Sequence, residues 1–554
     1  MSYLGSPRIH FVGRFQADPP TVNNDVRHFD AQLFHEDFQE PMVVKDERIV
    51  QYHGYWNPRG SGAFRLLGCK VTAAVLNGQL LHRPEDEPAI GLIVGGANDR
   101  VAAKIVDLDP QQHMVSQIWG LCMSLQDDRG ATAFSGEFEV TAFCDLWMRG
   151  QQKSDTVLDL QLAAAYQSVL TQVRWLNFAG SRCLKALKER SDNGILSVRM
   201  NLFGFDCDPD SAAYGTGTAV GTIGPAWQRE PKHFVLGRQL IAALDASNGN
   251  YPFVPVNSVS NAQAEVDEQA QTVTLDLGNA LPITDPSGTL QKIGALALAV
   301  LKDPGTGQGA SISGGQIELF GSIPYEDADW YFKTAGVQEF PCRKGSTAAA
   351  LVRDHPLALV RQDATDQYTV LNRETGDGLY VHADKVFYRL NPGDQAAIDF
   401  YASKYGQAYE ATVLASPTSG LMGGPGTGAH LPPSFVIPEV AKPPGIIGFP
   451  PEFSTDAGGH GRLSITAAPQ GPGNPRQYID GQLYGIGYEI KELSDGSSSN
   501  PFQYISILAW DRYEIPEEPT WFEHIRPILS LYGNLYPIMS QRLIDLRSCS
   551  KSLF

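Results

Sequence analysis

Short runs of alternating apolar and polar residues, bounded by Gly, Pro, Asn or Asp, dominate the first 150 residues, and such runs read as half-buried strands. They fall at Arg8–Arg14, Phe64–Val75, Leu92–Gly95, Ala102–Asp107, Gln117–Leu125 and Phe138–Phe143. The period then changes. From Thr156 to Phe178, the apolar residues Leu158, Leu162, Tyr166, Val169, Val173 and Leu176 recur at three- and four-residue steps. That spacing predicts an amphipathic helix, with Ser154 or Asp155 as N-cap and Gly180 as the stop. Strand signals resume at Ile195–Phe203, Thr218–Ile223 and Thr272–Leu277, and Gly294–Leu301 is a more continuous apolar run.

These elements divide the chain into five stretches. Residues 1–320 read as a large β-rich domain containing the helix near 156–178. Residues 321–415 read as a second β unit, with strands at Gln367–Leu371 and Gly378–Val386. Between 416 and 451 the run Gly423-Gly424-Pro425-Gly426-Thr427-Gly428 and repeated prolines mark a linker or a long loop. Residues 452–512 read as a small β-module, with alternation in Leu463–Ala467 and a run at Tyr504–Trp510. The segment 513–554 reads as helical, with Pro527 and Pro537 kinking or breaking Trp521–Tyr536. The fold class expected is mainly β: two or three sandwich-like units, one internal amphipathic helix and a C-terminal helical segment.

Composition supports this without adding a function. The 55 glycines and 37 prolines among 554 residues exceed the usual combined share of roughly 12%, and they fall as turn punctuation. A net charge of −18, with no basic run, argues against nucleic acid and against an anionic membrane surface. No apolar run approaches membrane-spanning length. The 7 cysteines are scattered and never spaced C-x-x-C, as expected of reduced thiols in a cytoplasmic protein. The N-terminus has no apolar core of signal-peptide length, so it reads as the start of the fold.

Several places could carry chemistry. Asp107 and Asp109 at i, i+2 share one face of a strand, where a cation or a sugar could sit near Gln117 and Trp119; alternatively, Asp109-Pro110 simply ends a strand. Tyr52-His53-Gly54-Tyr55-Trp56-Asn57-Pro58 could stack a planar ligand and hydrogen-bond it through Asn57, or pin a loop to the core. His10 and Arg14 place polar groups in the first strand. Asp206-Cys207-Asp208-Pro209-Asp210 begins like a calcium loop, but Ser211 and Gly217 stand where Gly and Glu are needed. Glu230-Pro231-Lys232-His233 has the helical metal-ligand spacing, with Pro231 against a helix. Gly215–Gly221 is off the dinucleotide fingerprint and reads better as the glycine-rich start of a strand. No G-x-S-x-G elbow, Walker loop or H-E-x-x-H helix occurs.

An ordered set of islands resembles one family. Pro7-Arg8-Ile9-His10-Phe11-x-Gly13 with Pro20-Thr21-x-Asn23-x-Asp25 is similar to the start of iminophenyl-pyruvate dimer synthases of violacein- and rebeccamycin-type pathways. Gly221-Thr222-Ile223-Gly224 with Gly237-Arg238, Thr274-Leu275-x-Leu277 with Pro282, and Tyr536-Pro537-x-Met539-Ser540 look like the same family. The resemblance implies a protein of tryptophan-derived natural-product biosynthesis. It covers the β-rich N-terminal half, the substrate-binding or scaffold part. The family's ferritin-like helical half, which would carry Glu and His metal ligands, has no counterpart in these residues, so a separate helical catalytic partner is implied. Haem is implied only through related haem-associated enzymes, and the resemblance leaves the oligomeric state open. A stand-alone β-protein that recognises a glycan or another protein is the alternative.

Overall fold

A computed structural model describes residues 2–18, 43–45, 48–51, 61–95, 103–109, 112–150, 162–192, 194–206, 211–243, 254–419, 439–476, 479–493, 504–514 and 516–535. The protein is mainly β, with 50% of it in strands and 8% helical, so the expected fold class holds. The strands up to residue 225 are β1 (Arg8–Ala17), β2 (Val43–Lys45), β3 (Arg48–Gln51), β4 (Ala63–Leu76), β5 (Gln79–Leu81), β6 (Ile93–Gly95), β7 (Ala103–Asp109), β8 (Gln112–Trp119), β9 (Cys122–Gln126), β10 (Thr132–Phe138), β11 (Thr141–Met148), β12 (Leu162–Trp175), β13 (Leu196–Phe203) and β14 (Thr216–Pro225). Two turns are finer than the sequence suggests. Gln117–Leu125 is broken by Gly120, whose φ of 68° reverses the chain between β8 and β9. Phe138–Phe143 is likewise divided between β10 and β11.

All of these except β2 and β3, which form a separate two-stranded sheet, belong to one sheet that closes into a barrel. The order β1-β14-β13-β12-β10-β9-β6-β4 returns to β1, and a second path, β11-β8-β7, also joins β12 to β4. Both long strands can serve two partners because each is bulged. In β4, Gly68 (φ 58°) lies at the register shift against β1, and in β12, Gln172 (φ 52°) lies at the shift against β10. Ile9, Phe11 and Phe15 of β1 fill the barrel core with Phe64, Phe134, Tyr166 and Leu170. Phe11 stands opposite Gly221 and Phe15 opposite Gly217. A Cβ at Gly221 would sit 2.6 Å from the Arg199 carbonyl oxygen and closer still to the Phe11 ring. The glycine-rich start of β14 therefore makes room for aromatic rings.

The helix expected near 156–178 is a correction. Residues 151–161 lie outside the described residues, and 162–175 form β12, hydrogen-bonded to β13 on one edge and to β11 and β10 on the other. The strand is covered on both faces, with Ala163 in the next unit's core and Tyr166 and Leu170 in the barrel core. A strand buried on both sides carries apolar residues without alternation, and such a run can match helical spacing. The internal amphipathic helix instead is α1 (Arg182–Arg190), just beyond Gly180. Ser181 caps it by accepting from the Leu184 N–H at 2.9 Å, and Cys183, Leu184 and Leu187 enter the barrel core. Ser181→Ala should cost about 1 kcal/mol, measurable as faster hydrogen exchange through α1 with the barrel strands little changed.

The second unit stacks two antiparallel sheets. One holds Arg238–Leu240, Ala262–Asp267, Thr272–Asp276 and Val337–Pro341; the other holds Ser311–Ser313, Gln367–Arg373, Leu357–Ala364, Ala295–Leu301 and Ile317–Ile323. Ala295–Leu301 lies in mid-sheet and feeds two cores, Leu296, Leu298 and Val300 on one face, Ala297, Ala299 and Leu301 on the other. A boundary at 320/321 would cut through Ile317–Ile323, so this unit takes in residues on both sides of it. The third unit is a sandwich. Its layers are built on Leu379–Ala383, Gln395–Lys404 and His460–Ala467, and on Phe387–Leu390, Tyr504–Ala509, Gln482–Ile490 and Thr412–Thr418. In His460–Ala467, Gly461, Leu463, Ile465 and Ala467 alternate inward, as expected. The stretch between 416 and 451 thus joins strands of one sandwich rather than separate modules. Trp521–Ile525 forms a π-helical turn and Arg526–Leu535 an α-helix, with Pro527 next to the change between them. Tyr536, Pro537 and the residues after them lie outside the described residues. No helix among the described residues is long and apolar enough to cross a membrane.

Candidate functional site

Four of the sequence-derived site residues, Asp107, Asp109, Gln117 and Trp119, lie on the β7–β8 hairpin, and three of them reach across to the sandwich. Asp109 is buried, and Arg476 of the sandwich grips it in bidentate fashion, Nη1 to Oδ1 at 2.8 Å and Nη2 to Oδ2 at 3.0 Å. The side chains are 2% and 0% exposed. Arg476 also donates from Nε to the Gly481 carbonyl at 2.7 Å and from Nη2 to the Asp480 carbonyl at 2.9 Å. Gln117 is buried, and its Oε1 accepts from Arg389 Nη1 at 2.8 Å and from Trp119 Nε1 at 3.2 Å. The Arg389 guanidinium lies 5.5 Å from the Trp119 ring centroid. Asp107 accepts from the Ser116 hydroxyl beside it. Gln112 donates from Nε2 to Ser506 Oγ at 2.9 Å and to Tyr504 at 3.2 Å.

Around these contacts Leu108, Val115 and Ala142 of the barrel pack on Phe387, Leu483, Tyr504 and Leu508 of the sandwich. Asp109, enclosed with Arg476, therefore does not face an open cation or sugar site. A bulge between Asp107 and Asp109 turns the second carboxylate into a clasp between barrel and sandwich. This is a correction to the ligand reading.

His10 and Arg14 sit elsewhere. Phe11 and Ile9 point into the barrel, so His10 points out; its backbone is close to the second unit's helix Trp330–Thr334, since Thr72 Oγ1 lies 3.3 Å from the carbonyls of both His10 and Lys333. It is 1% exposed, its Nδ1 lies 2.9 Å from Thr222 Oγ1, and Nε2 has no hydrogen-bond partner. Burial, with the Arg8 charge, holds its pKa well below the ordinary histidine value, so it is neutral. Arg14 is exposed and donates to the Thr216 hydroxyl. Asn57 and the aromatic loop around it lie outside the described residues, as do residues 207–210 of the calcium-like segment. Glu230–His233 lies in a non-helical segment, so the spacing that suits a helical metal site does not apply.

Two clusters escaped the sequence reading. The first is a buried network where the barrel meets the second unit. The Arg199 guanidinium lies 3.7 Å from Asp276 and donates from Nη1 to Cys144 Sγ at 2.9 Å. Tyr3 donates to Asp276 and accepts from Gln263. Asp145 accepts from Asn279 Nδ2 at 2.9 Å and Asn261 Nδ2 at 3.2 Å. Burial pushes the Asp145 carboxyl and the Cys144 thiol up, in both cases against the pull of Arg199. A thiol held protonated in this way is a poor nucleophile.

The second cluster is a cleft between barrel and sandwich, lined by Thr141, Cys144, His233, His382, Asp384 and Lys385 among others. Asp384 Oδ1 accepts from the backbone N–H groups of Lys232 at 2.7 Å and His233 at 3.0 Å, and lies 3.4 Å from His233 Nδ1. Burial works to raise the Asp384 pKa, but the His233 contacts outweigh it and hold the carboxylate below its ordinary value. The space open to water is about 20 Å³, little more than one water molecule needs. A haem does not fit beside these histidines, and no axial ligand is assigned. Among the described residues no three His, Cys, Asp or Glu side chains converge to hold a metal ion. Residues so far apart in sequence leave no motif, and only His382-Ala383-Asp384, alternating along a strand end, hinted at the cleft.

No family model and no curated protein matches the chain. Among solved structures, domains 4 and 5 of the S-layer protein SbsC align at 8% identity over 45% of this chain and 89% of that one, with a TM-score of 0.15. The S-layer protein rSbsC(31-844) aligns at 9% identity over 82% of this chain and 54% of that one, with a TM-score of 0.14. A Salmonella alpha-2-macroglobulin mutant, Y1175G, aligns at 8% identity over 91% of this chain and 28% of that one, with a TM-score of 0.14. Similarity at this level carries no argument about function.

Proposed function

We propose that the chain is a non-catalytic platform for natural-product biosynthesis, the substrate-binding or scaffold half of an iminophenyl-pyruvate dimer synthase-like system that works in the cytoplasm beside a helical, metal-bearing partner. The observation that carries the platform reading is the use made of polar residues. Asp109, Gln117 and Trp119 hold the barrel to the sandwich, and His10 is neutral and enclosed beside the second unit. A protein that commits its polar side chains to joints between units holds a fixed shape, and leaves chemistry to what it carries. The family part of the proposal rests on the resemblance, and two of its islands are strand neighbours, with Ile9 opposite Ile223, His10 opposite Thr222 and Phe11 opposite Gly221.

The test is reconstitution. Mixed with a ferritin-like helical partner from the same pathway, the chain should co-purify with it and permit coupling of two oxidised tryptophan-derived units; neither protein alone should do so. Turnover by this chain alone, or full activity of the partner without it, would contradict the proposal. One feature favours recognition of a glycan instead: Trp119 is 40% exposed and braced by Arg389. In that case the isolated chain would bind immobilised glycans, and Trp119→Ala would abolish the binding.

A further inference from the structure

The cleft at His233 and His382 lies apart from the residues on which the scaffold reading rests. His382 belongs to the sandwich strand Leu379–Ala383, while His233 sits in the segment after β14 that crosses to it. The His382 ring is 4.6 Å from the Phe234 ring and its Nδ1 lies 2.6 Å from the Ala383 carbonyl. The His233 ring is 7% exposed, and neither nitrogen has a hydrogen-bond partner. The joint is held by the two backbone N–H groups of Lys232 and His233 on Asp384 and by the Lys232–Glu139 ion pair at 2.8 Å.

We propose that His233 and His382 form an acid-operated latch, in which a proton on His382 opens the contact between the 232–234 segment and the sandwich edge at 382–384. The charged and titratable groups around the latch come from three directions. The barrel supplies Cys144 and Glu139; the crossing segment supplies Glu230, Lys232 and His233; the sandwich supplies Tyr380, Asp384, Lys385, Arg389, Tyr401 and Tyr488. A charge on His233 would face Asp384 at 3.4 Å. One on His382 would sit among rings, with His233 as a like-charged neighbour.

Burial lowers the His382 pKa from 6.5 to about 4; the Ala383 carbonyl and Asp384 oppose the shift and His233 adds to it. A base whose closed-state pKa lies below its open-state value favours the closed form at neutral pH. That preference is lost as pH falls from about 6.5 towards 4. Over that window the open form gains weight by up to about 300-fold. The cleft already admits about one water, so hydration of the imidazolium can begin without a large movement.

Hydrogen exchange on the full chain tests the latch, with the amides of Lys232 and His233 as reporters because they bond directly to Asp384. After correction for intrinsic rates, their protection should fall by at least about 10-fold between about pH 7 and pH 4.5. His382→Gln should hold protection within about 2-fold over the same range, and His233→Gln, which removes the like charge, should lessen the loss. His10→Gln, at the other joint, should leave the loss as it is in the unaltered protein. Equal protection of the unaltered protein at both pH values overturns the proposal without any variant. So does an undiminished loss in His382→Gln or His233→Gln, or abolition of the loss in His10→Gln.

Discussion

Asp109→Ala should loosen the sandwich from the barrel and cost about 3–5 kcal/mol at that joint, because it takes from the fully buried Arg476 guanidinium the carboxylate that grips it through two hydrogen bonds. The loss exceeds that of an ordinary hydrogen bond, since one side of a buried, bidentate ion pair is removed. A joined protein of this kind need not unfold in one step. The expected signature is a first unfolding transition, at lower denaturant, that exposes the sandwich and the β7–β8 hairpin while the barrel core stays protected. Asp107→Ala is the control. Asp107 is half-buried and meets the neighbouring Ser116, so the change should cost no more than about 1 kcal/mol. Because the Asp109 pair is enclosed, added salt should change little.

Glu374→Ala should be comparably damaging, again about 3–5 kcal/mol, but within the second unit, where the pair with Arg238 ties its two sheets together beside the sandwich. Arg238 donates from Nε to Glu374 Oε1 at 2.6 Å and from Nη2 to Oε2, with both side chains nearly fully enclosed. Its remaining donors reach the carbonyls of Val352 at 2.6 Å and His355 at 2.7 Å, and Glu374 also accepts from the Leu357 N–H at 2.7 Å. The guanidinium lies 5.3 Å from the Tyr405 ring of the sandwich. Removing the carboxylate thus leaves a buried cation and an unpaired N–H at once. Removing both charges together, as Arg238→Met with Glu374→Leu, should cost less than Glu374→Ala alone, because no charge is then left in the interior. Denaturant unfolding of the three proteins distinguishes these outcomes, and a double variant worse than the single one would count against the buried-charge explanation.

The β character of the chain was legible because much of it is half-buried: His460–Ala467 alternates cleanly in sequence and in burial. Where burial is two-sided, the same signal misleads. Leu162–Trp175 satisfies a helical spacing because both of its faces are covered as far as Leu170, and the capping serine that marks the true helix, Ser181, follows Gly180, the expected stop. The site residues failed for a different reason. Asp107 and Asp109 lie in one strand, but a bulge parts them, and the guanidinium that grips Asp109 is 367 residues away. No local pattern announces a partner at that distance. His233 and His382 are hidden in the same way, since only the packing of barrel against sandwich puts them in one cleft. A lone acid in sequence and a clasped acid in a joint look alike until the third dimension is known.

The β7–β8 hairpin joins barrel to sandwich above all through the Asp109–Arg476 pair. A double-mutant cycle on Asp109→Ala and Arg476→Ala, read by hydrogen exchange in Gln112–Trp119 and Tyr504–Ala509, tests it most directly. If the two side chains stabilise the joint through each other, the double variant should cost less than the sum of the singles by about 2 kcal/mol or more. Additive losses, or singles that change those amides by less than about 0.5 kcal/mol, would contradict it.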